Sequence, residues 1–307
     1  MKLMAVLQGA AHAAQEHGGG AENGPDLQYM LMHHLLDGAE LEFQLLGFGP
    51  VIHLPHFDPI HIGPLTLDLS PTKHVVFLFL AALVCLAIFV PIGRAMKNKF
   101  SNRAPTGLAN AMEAMVLYFR DEVVRRNISH GADSYTGYIL TLFFFILFMN
   151  LLGLVPFGST ATGNFMVTGA LALVTFVVTE ISGMRALGFA GYMGTIFYAP
   201  KGMNPLGTAI MLVILTPVEF LGKLTKPFAL MIRLFANMMA GHTLVLSLLG
   251  LIFIFASGGA IVAGGVTLAS IAMVSGIMIL ELFVAFLQAY IFALLTAVFI
   301  GQIQHAH

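Results

Sequence analysis

Cysteine and electrical charge are the two features in which this sequence is poorest. Its 307 residues include one cysteine, Cys85, which excludes an intramolecular disulfide and a metal site built from cysteines. Charged residues make up 9% of the chain and hydrophobic residues 58%, whereas soluble domains carry about 25% charged residues. The composition therefore predicts an all-α membrane protein that crosses the bilayer several times. The net charge of −1 by itself says nothing about nucleic acid. For a membrane protein of this kind we expect no nucleic-acid partner.

Positive charge is missing from the C-terminal part of the chain. No Lys or Arg follows Arg233, which itself lies in the apolar run Phe228–Ala256. A guanidinium cannot lose its proton in a protein, and placing one in hydrocarbon costs several kcal/mol or more. Such a charge usually faces a water-filled path or a carboxylate, so it indicates an ion path. A purely structural salt bridge is the alternative for Arg233.

The chain divides into three regions by composition. Residues 1–73 are polar and carry eight acids against two basic residues, and we expect them to form an extracytoplasmic region. Frequent prolines and glycines between Gly47 and Pro64 predict loops or short strands there. Residues 74–304 form the predicted transmembrane domain, and residues 305–307 a tail. The first 15 residues are either a flexible tail or a short signal peptide.

Hydrophobic runs predict five passages through the membrane, because each is long enough to span the hydrocarbon core. The last two are longer than a span requires, which predicts two strongly tilted helices in a hairpin. Gly258-Gly259 and Gly264-Gly265 supply the expected turn. The predicted spans are Val75–Ile92, Tyr138–Phe157, Phe165–Ile181, Phe228–Ala256 and Val266–Ile300.

Basic residues cluster after the first span. Seven of the fourteen Lys and Arg fall between Arg94 and Arg126, which by the positive-inside rule makes this side cytoplasmic and the N-terminus external. Apolar residues recur there at helical spacing from Leu108 to Val123. This pattern predicts an amphipathic helix on the inner membrane surface, with an ordinary connecting helix as the alternative. The Gly-rich stretch Ala186–Gly207 is interpreted as a partly interfacial loop.

A few polar residues in the last helices could carry protons. Asn237 lies four residues after Arg233 and Gln288 seven after Glu281, so each pair shares a helical face. His242 lies about half a turn from Arg233 and ~13 Å along the axis. Relay groups must take and release protons, which Arg233 cannot do, so its role is electrostatic. Structural alternatives are a Glu281–His242 pair, interhelical hydrogen bonds of Asn237 and Gln288, and a Glu219 side chain that snorkels to the interface.

Three motifs resemble one family. The run Arg233-Leu234-Phe235-Ala236-Asn237-Met238-Met239-Ala240-Gly241 is similar to the signature of subunit a of F-type ATP synthases. Leu287-Gln288-Ala289-Tyr290 resembles the motif of that family's last helix, and Asn150-Leu151-Leu152-Gly153-Leu154-Val155-Pro156 the end of its first hairpin helix. The resemblance covers roughly residues 70–304.

The resemblance implies a stator subunit beside a ring of c subunits, with protons passing through two half-channels. Arg233 would attract the deprotonated ring carboxylate and block a direct leak. Asn237 and Gln288 match polar positions beside it, and Glu219 matches an acidic position of the inner half-channel. His242 and Glu281 stand where many bacterial members have Glu and His, an exchange that is similar to mitochondrial members. Gly153 and Met166 depart from residues that some relatives carry, namely Asp and Asn.

The predicted function is therefore subunit a of an F-type ATP synthase, a subunit that performs no ATP chemistry itself. Its implied partners are the c ring, b-type peripheral stalk subunits, the rest of the complex, membrane lipid and protons. We favour a bacterial inner membrane over a mitochondrial one, and we expect neither a cofactor nor a metal. The alternatives are an ion-coupled secondary transporter that binds an anion at Arg233 and a purely structural membrane scaffold.

Overall fold

The described part of the chain is almost entirely helical. The computed structural model describes residues 38, 40–42, 51–57, 60–62, 65–67, 70–98, 104–155, 158, 160–197, 204–255 and 259–304. The segment considered as a signal peptide, Pro156 at the predicted end of the second span, and the tail 305–307 lie outside these residues.

Four short strands precede the helices. Strand β1 (Glu40–Glu42) pairs antiparallel with β2 (Val51–His53), and β3 (Ile60–Ile62) pairs antiparallel with β4 (Leu65–Leu67). Of the two alternatives for the Pro- and Gly-rich stretch, short strands are thus observed. Each pair has three residues per strand, so these hairpins are minor features beside the helices.

Five helices are long and apolar enough to cross a membrane. This number confirms the five predicted passages. Two shorter helices, α2 (Leu108–Tyr118) and α3 (Arg125–Asn127), flank a π-helical turn at Phe119–Val124. The five long helices are α1 (Lys73–Asn98), α4 (Ala132–Leu154), α5 (Phe165–Ile196), α6 (Pro205–Ile254) and α7 (Ala260–Gln304).

The predicted boundaries of the last two helices are wrong. Helix α6 runs unbroken for 50 residues through Pro217 and Pro227, whereas the predicted span began at Phe228. Helix α7 has 45 residues and includes Gly264 and Gly265, which were expected in the turn. Gly259, with φ 88°, lies directly before α7 and is the glycine whose backbone needs the left-handed region. At 1.5 Å per residue the two helices are ~75 Å and ~68 Å long, more than twice the ~30 Å hydrocarbon core.

The prediction of a loop at Ala186–Gly207 is also wrong over the first half of that stretch. Helix α5 continues to Ile196 with one interruption, Gly188, whose φ of 71° and ψ of 165° redirect the chain. A side chain at that backbone conformation would be strained, so glycine is required for the bend. The bend gives α5 a short final segment, which contains Tyr192 and Thr195. Asn164 caps the other end of α5 by accepting a 2.8 Å hydrogen bond from the Met166 amide.

The described residues fall into two compact units. One comprises residues 39–238 with 282–307, and the other contains residues 239–281. The core of the first unit is built from buried side chains of α1, α4, α6 and α7 and of the π-helical turn. Phe119 of that turn packs against Phe143 of α4 with ring centroids 4.5 Å apart. The apolar side of the predicted surface helix is therefore packed on the bundle at its C-terminal end.

Charged residues occupy the outer side of this connecting region. Arg125 donates to Asp133 at 2.9 Å and to Asp121 at 3.0 Å, and Arg126 donates to Glu122 at 2.8 Å. The hydrogen bond to Asp133 raises the pKa of Arg125 above its ordinary value. All five side chains are exposed, so these pairs contribute little stability individually. Leu108, which the helical pattern placed on the apolar side, is exposed instead.

Candidate functional site

Arg233 lies on the outer surface of its own unit. The neighbouring Leu230, Leu234 and Met238 side chains of α6 are buried in the core, whereas Arg233 is exposed. No carboxylate of the described residues lies within ion-pair distance of its guanidinium. In the part of the chain that the structure describes, Arg233 therefore has no internal salt bridge. A fixed positive charge is presented outward from an apolar helix.

Asn237 lies one turn after Arg233 and is half-buried. Four residues correspond to 400° of helix, so Asn237 is displaced by about 40° from Arg233 toward the buried side. The two residues therefore lie on neighbouring parts of the surface of α6, with Asn237 nearer to the core. An amide beside a guanidinium can hydrogen-bond a group that approaches from outside without adding charge.

On α7, the predicted pair Glu281 and Gln288 lies on a buried stripe. Glu281 is 4% exposed and Gln288 is 7% exposed. Ala285 and Ala289, which flank Gln288 on the same side, are fully buried. The two polar faces thus differ, because the Arg233 face points outward and the Glu281/Gln288 face is enclosed.

A hydrogen-bonded amide fixes α7 near Gln288. Asn150 of α4 is fully buried, and its side-chain nitrogen donates to the Ala285 carbonyl at 3.3 Å. Thr162 donates to the Asn150 side-chain oxygen at 2.7 Å. Since Ala285 lies three residues before Gln288, this network holds the backbone turn that carries Gln288. Sequence reasoning identified Asn150 only as part of a motif, although a buried amide in an apolar helix is itself a signal.

Glu281 occupies a tight and unusual environment in the unit that contains residues 239–281. Its carboxylate lies against the Cα of Gly241, so that a methyl group there would overlap with it. Neither carboxylate oxygen has a hydrogen-bond partner among the described residues. His242 follows Gly241 and is half-buried. The structure thus brings Glu281 to the turn that carries His242, but no hydrogen bond joins these two described residues.

Buried polar atoms without partners are rare in proteins and call for an explanation. When a carboxyl group is enclosed without a hydrogen bond, its ionised form is destabilised. The neutral form also lacks a hydrogen-bond partner. Water is the simplest partner for such a group. The Glu281 carboxyl group is thus buried without a hydrogen-bond partner among the described residues, and a static Glu281–His242 hydrogen bond does not explain its position.

Glu219 lines a cavity of about 90 Å³ within the first unit. Its side chain is exposed, as the snorkelling alternative expects, and Lys223 and Lys226 line the same cavity. Lys226 donates to the Gln302 side chain at 3.0 Å. The remaining lining residues are Thr175, Phe176, Thr179, Glu180, Thr195, Pro227, Phe299 and Ile303.

Comparison with known proteins identifies the family. A family model described as ATP synthase A chain matches residues 75–301, which is most of the chain.

The chain belongs to the ATP synthase A chain family.

Curated relatives agree with this assignment. ATP synthase subunit a of Chloroherpeton thalassium is 46% identical, with 98% of this chain and 87% of the relative covered. ATP synthase subunit a 2 of Chlorobaculum tepidum is 44% identical over 97% of this chain and 79% of the relative. ATP synthase subunit a of Anaeromyxobacter dehalogenans is 45% identical over 95% and 75%. The resemblance of the three motifs is thereby confirmed.

The structure shows what lies beside Gly153, one of the two positions at which the sequence departs from the pattern of the resemblance. The Thr160 side chain occupies the space that a side chain at residue 153 would need. The Thr160 carbonyl is also 3.0 Å from Nδ1 of the buried His74. The C-terminal end of α4 therefore lies beside threonine and imidazole groups.

Proposed function

We propose that this chain forms two proton half-channels against a rotating c ring and so couples proton flow to ATP synthesis. As a multi-pass member of the ATP synthase A chain family, it is part of the ATP synthase complex. The family assignment favours this function over an ion-coupled secondary transporter. The chain itself performs no ATP chemistry in this proposal.

The observation that carries the proposal is the exposed position of Arg233. A permanent cation at membrane depth is costly unless it meets water or an opposite charge. Among the described residues of this chain, no carboxylate is within reach of Arg233. A carboxylate on a neighbouring subunit would satisfy the charge, and a ring would present one carboxylate after another. Arg233 would attract each deprotonated carboxylate and prevent protons from passing directly between the half-channels.

The other polar residues are assigned to the two paths. Glu219, at the cavity beside Lys223 and Lys226, belongs to the inner half-channel. His242 and Glu281 belong to the outer half-channel, because both can exchange protons near neutral pH in suitable environments. Asn237 and Gln288 flank the route near Arg233 as neutral hydrogen-bonding groups.

The orientation in this proposal follows from the distribution of charge. The basic block 94–126 is cytoplasmic, the polar region 1–73 is extracytoplasmic, and five passages bring residues 305–307 to the cytoplasmic side of a bacterial inner membrane. The excess length of α6 and α7 is accommodated by tilt, which gives a long oblique surface for the ring. The b-type peripheral stalk holds the chain against rotation.

The test is removal of the Arg233 charge in the whole complex. We expect Arg233→Ala to abolish ATP-driven proton pumping in membrane vesicles while the complex still assembles. Arg185→Ala is the matched control, because Arg185 is also exposed, lies on α5 and lines no described cavity. Near wild-type pumping by Arg233→Ala would overturn the proposal and favour a structural scaffold. Substrate-dependent transport by the chain without a ring would favour a secondary transporter.

A further inference from the structure

A second acidic residue, Glu180, lines the same cavity as Glu219. It belongs to α5, which at this point is within the apolar stretch that crosses the membrane. Its side chain is 13% exposed. A carboxylate enclosed at membrane depth is expensive and indicates a function by default. None of the roles assigned above uses it.

Glu180 is held from two sides. The Tyr192 hydroxyl donates to its Oε2. The Lys223 ammonium, on α6, lies 3.8 Å from the same oxygen and 4.4 Å from the centre of the Tyr192 ring. The three side chains meet because the bend at Gly188 redirects the end of α5, so that Tyr192 faces Glu180 although it follows by twelve residues.

A purely structural ion pair does not account for this geometry. Direct ammonium–carboxylate hydrogen bonds are about 2.7–2.9 Å long, whereas Lys223 is 3.8 Å from Glu180 and donates instead to the Thr195 hydroxyl at 3.2 Å. The carboxylate accepts its hydrogen bond from the Tyr192 hydroxyl, through one of its two oxygens. The second oxygen of Glu180 makes no hydrogen bond to any described residue, so it is available to the cavity that its side chain lines.

The cavity is suited to water. Its volume of about 90 Å³ exceeds the roughly 30 Å³ that each water molecule occupies in the liquid. Thr175, Thr179 and Thr195 also line the cavity, and the hydroxyl groups of Thr179 and Thr195 donate to the backbone carbonyls of Thr175 and Tyr192. Water both accepts and donates hydrogen bonds, so water in the cavity can pass protons between the carboxylates that line it.

We propose that Glu180 is a proton-exchanging residue of the inner half-channel and works with Glu219 across the water of this cavity. In the step, the second oxygen of Glu180 accepts a proton from a hydronium ion and returns it to another water molecule, so that only O–H bonds form and break. Tyr192 and Lys223 are positioning residues that hold the carboxylate at the cavity. The ionisable groups that face Glu180 among the described residues are Tyr192, Lys223, Glu219 and Lys226.

This inference rests on the proposed function, and its test separates the two. The measurement is ATP synthesis by the whole complex in proteoliposomes, driven by an imposed pH difference and recorded against the pH of the inner-half-channel side. Rates are divided by the amount of assembled complex. The variants are Glu180→Gln, Glu180→Asp and Tyr192→Phe, with Glu122→Gln as a control that removes an exposed carboxylate elsewhere.

For Glu180→Gln we expect at least a ~10-fold loss, less than the ~100-fold typical of removing a positioned acid or base, because cavity water still carries part of the flow. Glu180→Asp is expected to restore part of the rate, and Tyr192→Phe to shift the pH profile without abolishing synthesis. Glu122→Gln is expected to match the unaltered protein.

Two results would overturn the inference. One is an unchanged rate and pH profile for assembled Glu180→Gln complexes. The other is a lower amount of assembled complex with a normal rate per complex, which is what a structural role alone predicts. If Arg233→Ala abolishes synthesis in the same experiment, either result removes only the role of Glu180. If Arg233→Ala is active, the proposed function fails as well.

Discussion

Gly241 offers the sharpest test of the outer half-channel, because it separates the position of Glu281 from its chemistry. A Cβ atom at residue 241 would overlap with the Glu281 carboxylate oxygen, and it would lie 2.7 Å from Cδ and 3.3 Å from Cγ. Gly241→Ala therefore displaces the Glu281 carboxyl group while all ionisable groups remain present. Helix α6 itself should tolerate alanine, since alanine is favoured over glycine in helices by about 1 kcal/mol.

The magnitude follows from which atoms must move. The overlapping atoms are at the end of a flexible side chain, so Glu281 can rotate away at a cost of about 0.5–1.5 kcal/mol for an unfavourable rotamer. If proton transfer requires the original position, this cost adds to the barrier. At 1.36 kcal/mol per factor of ten, the rate falls about 2- to 13-fold. The free energy of unfolding should change little, because the gain in helix propensity offsets the steric cost.

The assay is ATP synthesis by the whole complex in proteoliposomes, together with thermal stability of the purified complex in detergent. Gly137→Ala is the matched control, because a Cβ at Gly137 of α4 meets no atom within 4 Å. Combining Gly241→Ala with Glu281→Asp should recover part of the lost rate, since the shorter side chain relieves the overlap. A full rate in assembled Gly241→Ala complexes would refute the idea that the position of the Glu281 carboxyl group matters.

Two further substitutions test other contacts. Ala236→Glu places a carboxylate three residues after Arg233 on the exposed side of α6, where an internal pair would compete with the ring carboxylate; we expect a loss of ATP-driven pumping that Ala236→Gln does not cause. Gly301→Ala adds a methyl group that overlaps with the Asn127 carbonyl. Because backbone is hard to displace, we expect a destabilisation of about 1–3 kcal/mol, measured as a lower midpoint of thermal unfolding in detergent. An unchanged midpoint would show that α7 accommodates the methyl group.

Length and hydropathy were sufficient to predict the number of membrane-crossing helices, but not their ends. The predicted span began at Phe228, directly after Pro227, yet α6 begins at Pro205 and continues through Pro217 and Pro227. Proline is tolerated in membrane helices because neighbouring groups satisfy the backbone atoms that it leaves unpaired. Gly264 and Gly265 similarly suggested a turn, and they lie in α7. Single glycines and prolines in a membrane segment therefore gave no reliable boundary.

The candidate site was predictable where one residue was anomalous by itself. Arg233 is recognisable from the free-energy cost of placing a guanidinium in an apolar segment. Glu281 is recognisable as an isolated acid in an apolar helix. The contact between Glu281 and Gly241 depends on how two helices approach, which no local pattern encodes. Glu180 had a readable signal, since it is an acid within an apolar run. The position of its partner Tyr192 had no such signal, because Tyr192 reaches Glu180 only through the bend at Gly188.

Arg233 and the acidic residues differ both in whether they can lose their charge and in how exposed they are. Arg233 is the charge that cannot be neutralised by proton transfer, and it is exposed toward the outside of its unit. Glu281 and Glu180 can lose their charge, and both are enclosed. An arginine satisfied by an internal carboxylate would have little attraction left for a passing one, since a paired charge is screened by its partner. The absence of an ion-pair partner for Arg233 among the described residues of its own unit is therefore as important to the proposed mechanism as the arginine itself.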